Sequence, residues 1–219
     1  MPNGPLSLPA RLFLLAWDPG GNELTSTTHA QHLVRAGALA ELARRGLLVD
    51  DDGIATPADM DSHTGDSVLD GLLELVRESR PHHWRSWVPL HARVTLEAVR
   101  EQLAAEGYLR AEKRRVLGVF PTVEYTLDRP AVVAALREEV RQVLEGPANP
   151  AEISDRDAAV AVLAAAADLR TLGPRGERSR HKERLEALVE RSATATPPLR
   201  TVVPELCAAL STVVAPTGG

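Results

Sequence analysis

Apolar residues recur at helical spacing through most of the chain, and glycines, prolines and polar caps cut the pattern into segments. Leu69, Leu72, Leu73 and Val76 follow an i, i+3, i+4, i+7 rhythm behind Asp66, which predicts a helix capped by that aspartate. Leu96, Val99 and Leu103 mark one face of another helix over residues 93–106, with Gly107 as its stop. Upstream, residues 8–17 read as a short, nearly all-apolar helix with Pro9 in its first turn. Residues 28–45 form a longer helix ending at Gly46. Leu47, Leu48 and Val49 then suit a strand, and Asp51-Asp52-Gly53 a tight turn toward Ile54. Pro81 breaks the chain, and His82 and His83 fall in the loop behind it. Strands at 115–120 and 123–127 are expected to pair around Pro121-Thr122, and helices to follow at 128–144, 154–172, 178–192 and 199–214. The predicted fold class is mostly α: a single helical domain over residues 7–214, with a β-hairpin at about 115–127 and a second short hairpin at about 47–56.

Composition supports that reading. The chain has 219 residues and is 44% hydrophobic but only 3% aromatic, so its core must be built from Leu, Val and Ala, as in closely packed helices. The formal charge of −5 gives the whole molecule a field that repels nucleic acid and anionic membranes, so any such contact needs a local basic patch. Cys207 is the single cysteine and lies in an apolar helical run, which fits a core position in a reducing compartment. Residues 1–20 lack a signal-peptide pattern, and no apolar run approaches the roughly 20 residues of a membrane span. The expectation is a soluble, cytoplasmic protein whose membrane role, if it has one, is peripheral on the inner face of the cell membrane.

Two stretches of the chain rhyme. "AGALAELARRGLLVDDDGIATP" (36–57) and "AVREQLAAEGYLRAEKRRVLGVFPTVEYTL" (98–127) each run helix, glycine, apolar strand and turn, which is how a winged DNA-binding unit often begins. DNA recognition needs an exposed basic helix. The first stretch is rich in Leu and Ala, and the second balances its arginines with Glu97, Glu101 and Glu106. No nucleic acid partner is therefore expected. A protein-interaction scaffold without lipid specificity is the other non-catalytic reading.

Catalytic motifs are missing from the sequence: there is no phosphate-binding glycine loop, HExxH or CxxC. His29 and His32 sit at i, i+3 without a third ligand and read as a solvated helix face rather than a metal site. Asp50-Asp51-Asp52 before Gly53 lacks the spaced ligands of a calcium loop and reads as a turn. Asp66 and Asp70 are explained by capping and the helix dipole. The expectation is a protein that is not an enzyme and uses no cofactor or metal.

The order of the segments is more informative than any one of them. "LPARLFLLAW", "HLVRAGALAELARRGLL" and "TGDSVLDGLLELV" are followed by "RPHHWRSWV", "VREQLAAEGYL" and "VLGVFPTVEYTL". This series resembles the Golgi phosphoprotein 3 family, most specifically in TGDxxLDxxL followed by Pro81, Trp84 and Trp87. The resemblance implies a helical core with a protruding β-hairpin. It also implies a peripheral membrane adaptor that binds phosphatidylinositol 4-phosphate and, in eukaryotes, retains glycosyltransferases in the Golgi. The implied partners are an anionic phospholipid and client membrane proteins. Two arginines of the family's headgroup pocket fall on Arg35 and Arg93. The pocket tryptophan falls on Ser26, and a further arginine falls on Leu96. Reversing the charge of Arg35 and Arg93 together is thus expected to weaken binding to anionic vesicles and leave the melting temperature unchanged.

Arg35 has a plainer reading as well, a salt bridge to Glu41 or Asp66. Arg110, Lys113, Arg114 and Arg115 are expected at the base of the hairpin, beside the apolar strand that carries Val116, Leu117, Val119 and Phe120. Basic residues near an anionic bilayer contribute on the order of 1 kcal/mol each, and apolar insertion adds to that. The same apolar side chains would equally suit the core or a homo-oligomer formed through the hairpin. The mixed-sign run at 175–184 reads as a solvated helix start.

Overall fold

The computed structural model describes residues 6–18, 20–21, 23–116, 120–169, 171–172, 181–195 and 199–214. Helix α1 (Leu8–Ala16) is followed by a two-residue strand pair, β1 (Trp17–Asp18) with β2 (Glu23–Leu24), and by the long helix α2 (Thr27–Arg44). Thirteen of the 18 residues of α2 are buried, so it has no solvent stripe and runs through the middle of the molecule. α1 crosses it closely at Gly37, where a Cβ would sit 2.5 Å from Leu12 Cδ1 and 3.3 Å from the Pro9 backbone. Buried apolar side chains from Leu8 to Leu210 form one continuous cluster around this helix, and helices make up 62% of the described residues.

Local chemistry sets the next elements. Strands β3 (Leu48–Asp51) and β4 (Ile54–Pro57) pair in register, Asp51 opposite Ile54. The turn between them is Asp52-Gly53, both with positive φ (49° and 83°), as a two-residue hairpin turn of this twist requires. His82 and His83, expected in a loop, instead form a short strand, β5, antiparallel to β4. His83 is held there by its own Nδ1 at 3.1 Å from the Gly53 carbonyl, and the Trp84 amide donates to the same oxygen.

The TGD motif is a helix-start device. Asp66 Oδ1 accepts from the Val68 and Leu69 amides at the start of α3 (Ser67–Glu78), as its position predicted. Asp70 does more than interact with the helix dipole: its carboxylate accepts from the Thr64 amide and hydroxyl and from the Gly65 amide, closing the preceding loop. After β5 a single helical turn, α4 (Trp84–Trp87), buries both tryptophans, and Trp84 Nε1 donates to Asp50 Oδ1 at 2.6 Å.

Helix α5 (Ala92–Ala105) leads into a hairpin longer than expected. Its strands are β6 (Leu109–Val116) and β7 (Phe120–Leu127), paired from Leu109↔Leu127 to Val116↔Phe120. Pro121 and Thr122 therefore lie inside β7 rather than at the turn. Arg114 and Arg115 pair with Thr122 and Pro121 near the tip, not at the base. Leu117 and Val119 lie outside the described residues, as do the side chains of Arg114, Arg115 and Phe120. The base is fastened by buried Leu109, by Arg100 over the Tyr125 ring at 5.1 Å, and by Arg129 over Tyr108 at 4.7 Å. Beyond it, residues 110–113 and 123–124 are exposed.

The remaining helices are α6 (Pro130–Glu145), α7 (Asp155–Ala166), α8 (Lys182–Ala195) and α9 (Leu199–Val214). α7 stops six residues short of the expected 172, where Asp168 takes a left-handed conformation (φ 48°).

Candidate headgroup site

Arg35 is only 1% exposed, on the buried course of α2. Neither expected carboxylate reaches it. Glu41, itself fully buried, accepts from Arg44 and Arg45 at 2.8 Å each. Burial pushes the Glu41 carboxyl up, but these two guanidinium groups outweigh it and hold the pKa below the usual range. Asp66 is occupied as the cap of α3. Arg35 instead donates through Nη2 to the Leu90 carbonyl at 2.8 Å, and its Nε and Nη1 have no hydrogen-bond partner. Burial alone lowers its pKa to about 10, so it remains a cation at neutral pH.

Leu90 belongs to the turn before α5, which His91 closes in a left-handed conformation (φ 52°). Arg93 is the second residue of that helix and is exposed. The fold thus brings Arg35 to the turn that precedes the helix bearing Arg93, from 55 residues away. The start of a helix also carries the positive end of its dipole, suited to a phosphate, although the Ala92 and Val94 amides here already donate to the Pro89 and His91 carbonyls. Val94, next to Arg93, is 65% exposed, an apolar side chain offered to whatever the helix start meets.

The two replaced positions serve the fold. Ser26 caps α2 by accepting from the His29 amide, and Leu96 is fully buried with Val99 and Leu103. His32, read from sequence as part of a solvated face, is buried to 8% exposure one turn before Arg35. Burial is the leading cause of its lowered pKa, which leaves it neutral at pH 7, and its Nδ1 has no partner. Sequence spacing could not reveal this, because only the packing around α2 buries that face.

Burial also changes the expected outcome of a double charge reversal. A carboxylate in place of Arg35 would enter the core beside the Leu90 carbonyl, so that change cannot leave the melting temperature unaltered. The same burial argues against DNA recognition by α2, which cannot lie in a groove. The exposed positions of α5 mix Arg93 and Val94 with Glu101 and Ala105. Among the described residues no helix is long and apolar enough to cross a membrane.

Fold and site together define a mostly helical protein in which a buried arginine of α2 bonds the turn before the helix that bears Arg93. The family model for Golgi phosphoprotein 3 (GPP34) matches residues 8–206, and the chain belongs to that family. No curated protein matches it.

Proposed function

We propose that this protein is a non-catalytic, peripheral membrane adaptor that binds an anionic phospholipid headgroup at the start of α5, using Arg35 and Arg93. The observation that carries the reading is Arg35 itself, a buried cation with two unpartnered donor nitrogens and no carboxylate bonded to it. A pKa lowered to about 10 by burial means that its charge costs the folded state on the order of 3 kcal/mol. A phosphate reaching Nη1 would offset that cost and form charge-assisted hydrogen bonds of about 1.5–3 kcal/mol each.

With Ser26 and Leu96 at two pocket positions, the reading is an anionic headgroup rather than phosphatidylinositol 4-phosphate in particular. The exposed Lys113 on β6 would add long-range attraction to the bilayer, whereas Arg110 on the same strand is already paired with Asp128. Client membrane proteins on the cytoplasmic face are the implied partners of such an adaptor.

Flotation with phosphatidylcholine vesicles doped with phosphatidylinositol 4-phosphate, phosphatidylglycerol or cardiolipin tests the proposal. Arg93→Glu should weaken binding roughly tenfold, since reversing one surface charge at an anionic bilayer removes about 1–2 kcal/mol. The melting temperature should not move, because Arg93 is exposed. Equal flotation of wild type and variant on every anionic vesicle would remove Arg93 from the site.

A further inference from the structure

We infer that the turn formed by Pro89, Leu90 and His91 is a latch over Arg35, which an anionic headgroup must open to reach the guanidinium. The inference rests on the lipid reading and adds how access to that site is controlled. Arg35 is 1% exposed and its unpartnered Nε and Nη1 are buried, so no ligand meets them while the turn lies closed. The acceptor that Arg35 does have is the Leu90 carbonyl at 2.8 Å, and that carbonyl belongs to the turn.

Three features let the turn move as a short unit. Its ends are fixed by buried Val88 and Ala92, whereas Pro89 and His91 are exposed and Leu90 is half-buried against the core. Pro89 has no amide to donate, and the bond from the Ala92 amide to the Pro89 carbonyl is long, at 3.4 Å. His91 is held in the left-handed region (φ 52°), which costs a residue with a side chain free energy that it does not cost glycine. Its imidazole makes no capping bond that would offset the strain.

Opening exchanges the partner of Arg35 for a better one. The closed turn offers the guanidinium a neutral carbonyl. An open turn lets a phosphate take that place through charge-assisted bonds and reach Nη1 as well. The same movement releases His91 from its left-handed conformation. Without a ligand the closed turn prevails, because opening it would leave the cation in the core with no acceptor.

Apparent affinity is then the intrinsic affinity multiplied by the fraction of molecules whose turn is open. A change that stabilises the closed turn must weaken binding, and one that loosens it must tighten binding. Affinity and stability therefore move in opposite directions. A residue that merely supported the site would move them together.

The test titrates the full chain with phosphatidylcholine vesicles holding phosphatidylinositol 4-phosphate or phosphatidylglycerol, at constant salt. His91→Gly relieves the closed turn of strain, so it should raise the melting temperature and weaken vesicle binding about fivefold. Leu90→Ala removes packing from the closed turn, so it should lower the melting temperature and tighten binding by a similar factor. In an Arg35→Met background neither change should alter the residual binding, since no buried cation remains to be uncovered. The inference is overturned if both variants bind like wild type, or if affinity and melting temperature change in the same direction. It is equally overturned if the loss with His91→Gly persists without Arg35, which would make the imidazole a direct contact. Failure of the lipid reading looks different: wild type would bind neither vesicle, or bind as well with Arg93→Glu, and the latch would fall with it.

Discussion

Arg35→Glu is expected to unfold the protein or lower its stability by at least about 3–5 kcal/mol, the scale for an uncompensated buried charge. The carboxylate would face the Leu90 carbonyl with a lone pair where wild type has a donor. Arg35→Met separates charge from packing. It removes the cost of holding a buried cation, about 3 kcal/mol, and loses one hydrogen bond to Leu90, about 1–3 kcal/mol. Its melting temperature should therefore stay within a few degrees of wild type or rise. Binding to anionic vesicles should nevertheless fall as far as it does with Arg93→Glu, or further. A methionine variant that binds normally would reduce Arg35 to a structural residue.

The pH dependence of this pair follows from the lowered pKa. Burial lowers the folded-state pKa of Arg35 to about 10, below its value in the unfolded chain. Between these values the unfolded state binds more protons, so the contribution of Arg35 to stability rises with pH. Below the folded pKa its full cost is present. The stability of Arg35→Met relative to wild type should be constant from neutral pH to about 9 and shrink above 10. Denaturant titrations of both proteins across that range would show it. A difference that grew with pH would mean that an unrecognised anionic partner holds the guanidinium.

Trp84→Ala is the second large effect, about 3–5 kcal/mol for removing a fully buried indole. The loss also frees Asp50, whose carboxylate accepts from Trp84 Nε1 at 2.6 Å. That bond ties α4 to β3, so the three-stranded β3–β4–β5 sheet should loosen along with the core. Trp84→Phe keeps most of the packing and isolates the hydrogen bond, and it should cost clearly less. Chemical denaturation gives both values. Equal losses for the two variants would show that the hydrogen bond, not the ring volume, carries the tryptophan's contribution.

Local signals were legible in the sequence because their causes lie within a few residues. Asp66 caps α3 where the motif predicted, Gly46 and Gly107 take positive φ just past the ends of their helices, and Asp52-Gly53 turns β3 into β4. Leu96, Val99 and Leu103 are buried on the face their spacing marked. The order of these pieces was enough to indicate the family. The hairpin was less legible. "LRAEKRRV" has no alternation of apolar and polar residues, so its first six residues did not read as strand, and they pair only because β7 returns alongside them.

The sequence by itself determined the helices, their caps and the apolar faces that make the core, since propensity, capping and periodicity act at short range. Only the tertiary structure decided what becomes of the polar residues on those helices. Enclosing α2 on all sides buries His32 and Arg35, and folding Glu41 onto Arg44 and Arg45 leaves Arg35 without a carboxylate. Bringing Leu90 across 55 residues then gives that guanidinium one carbonyl and leaves two donors free. Burial and the choice of a distant partner depend on how helices far apart in sequence pack, which no local pattern encodes.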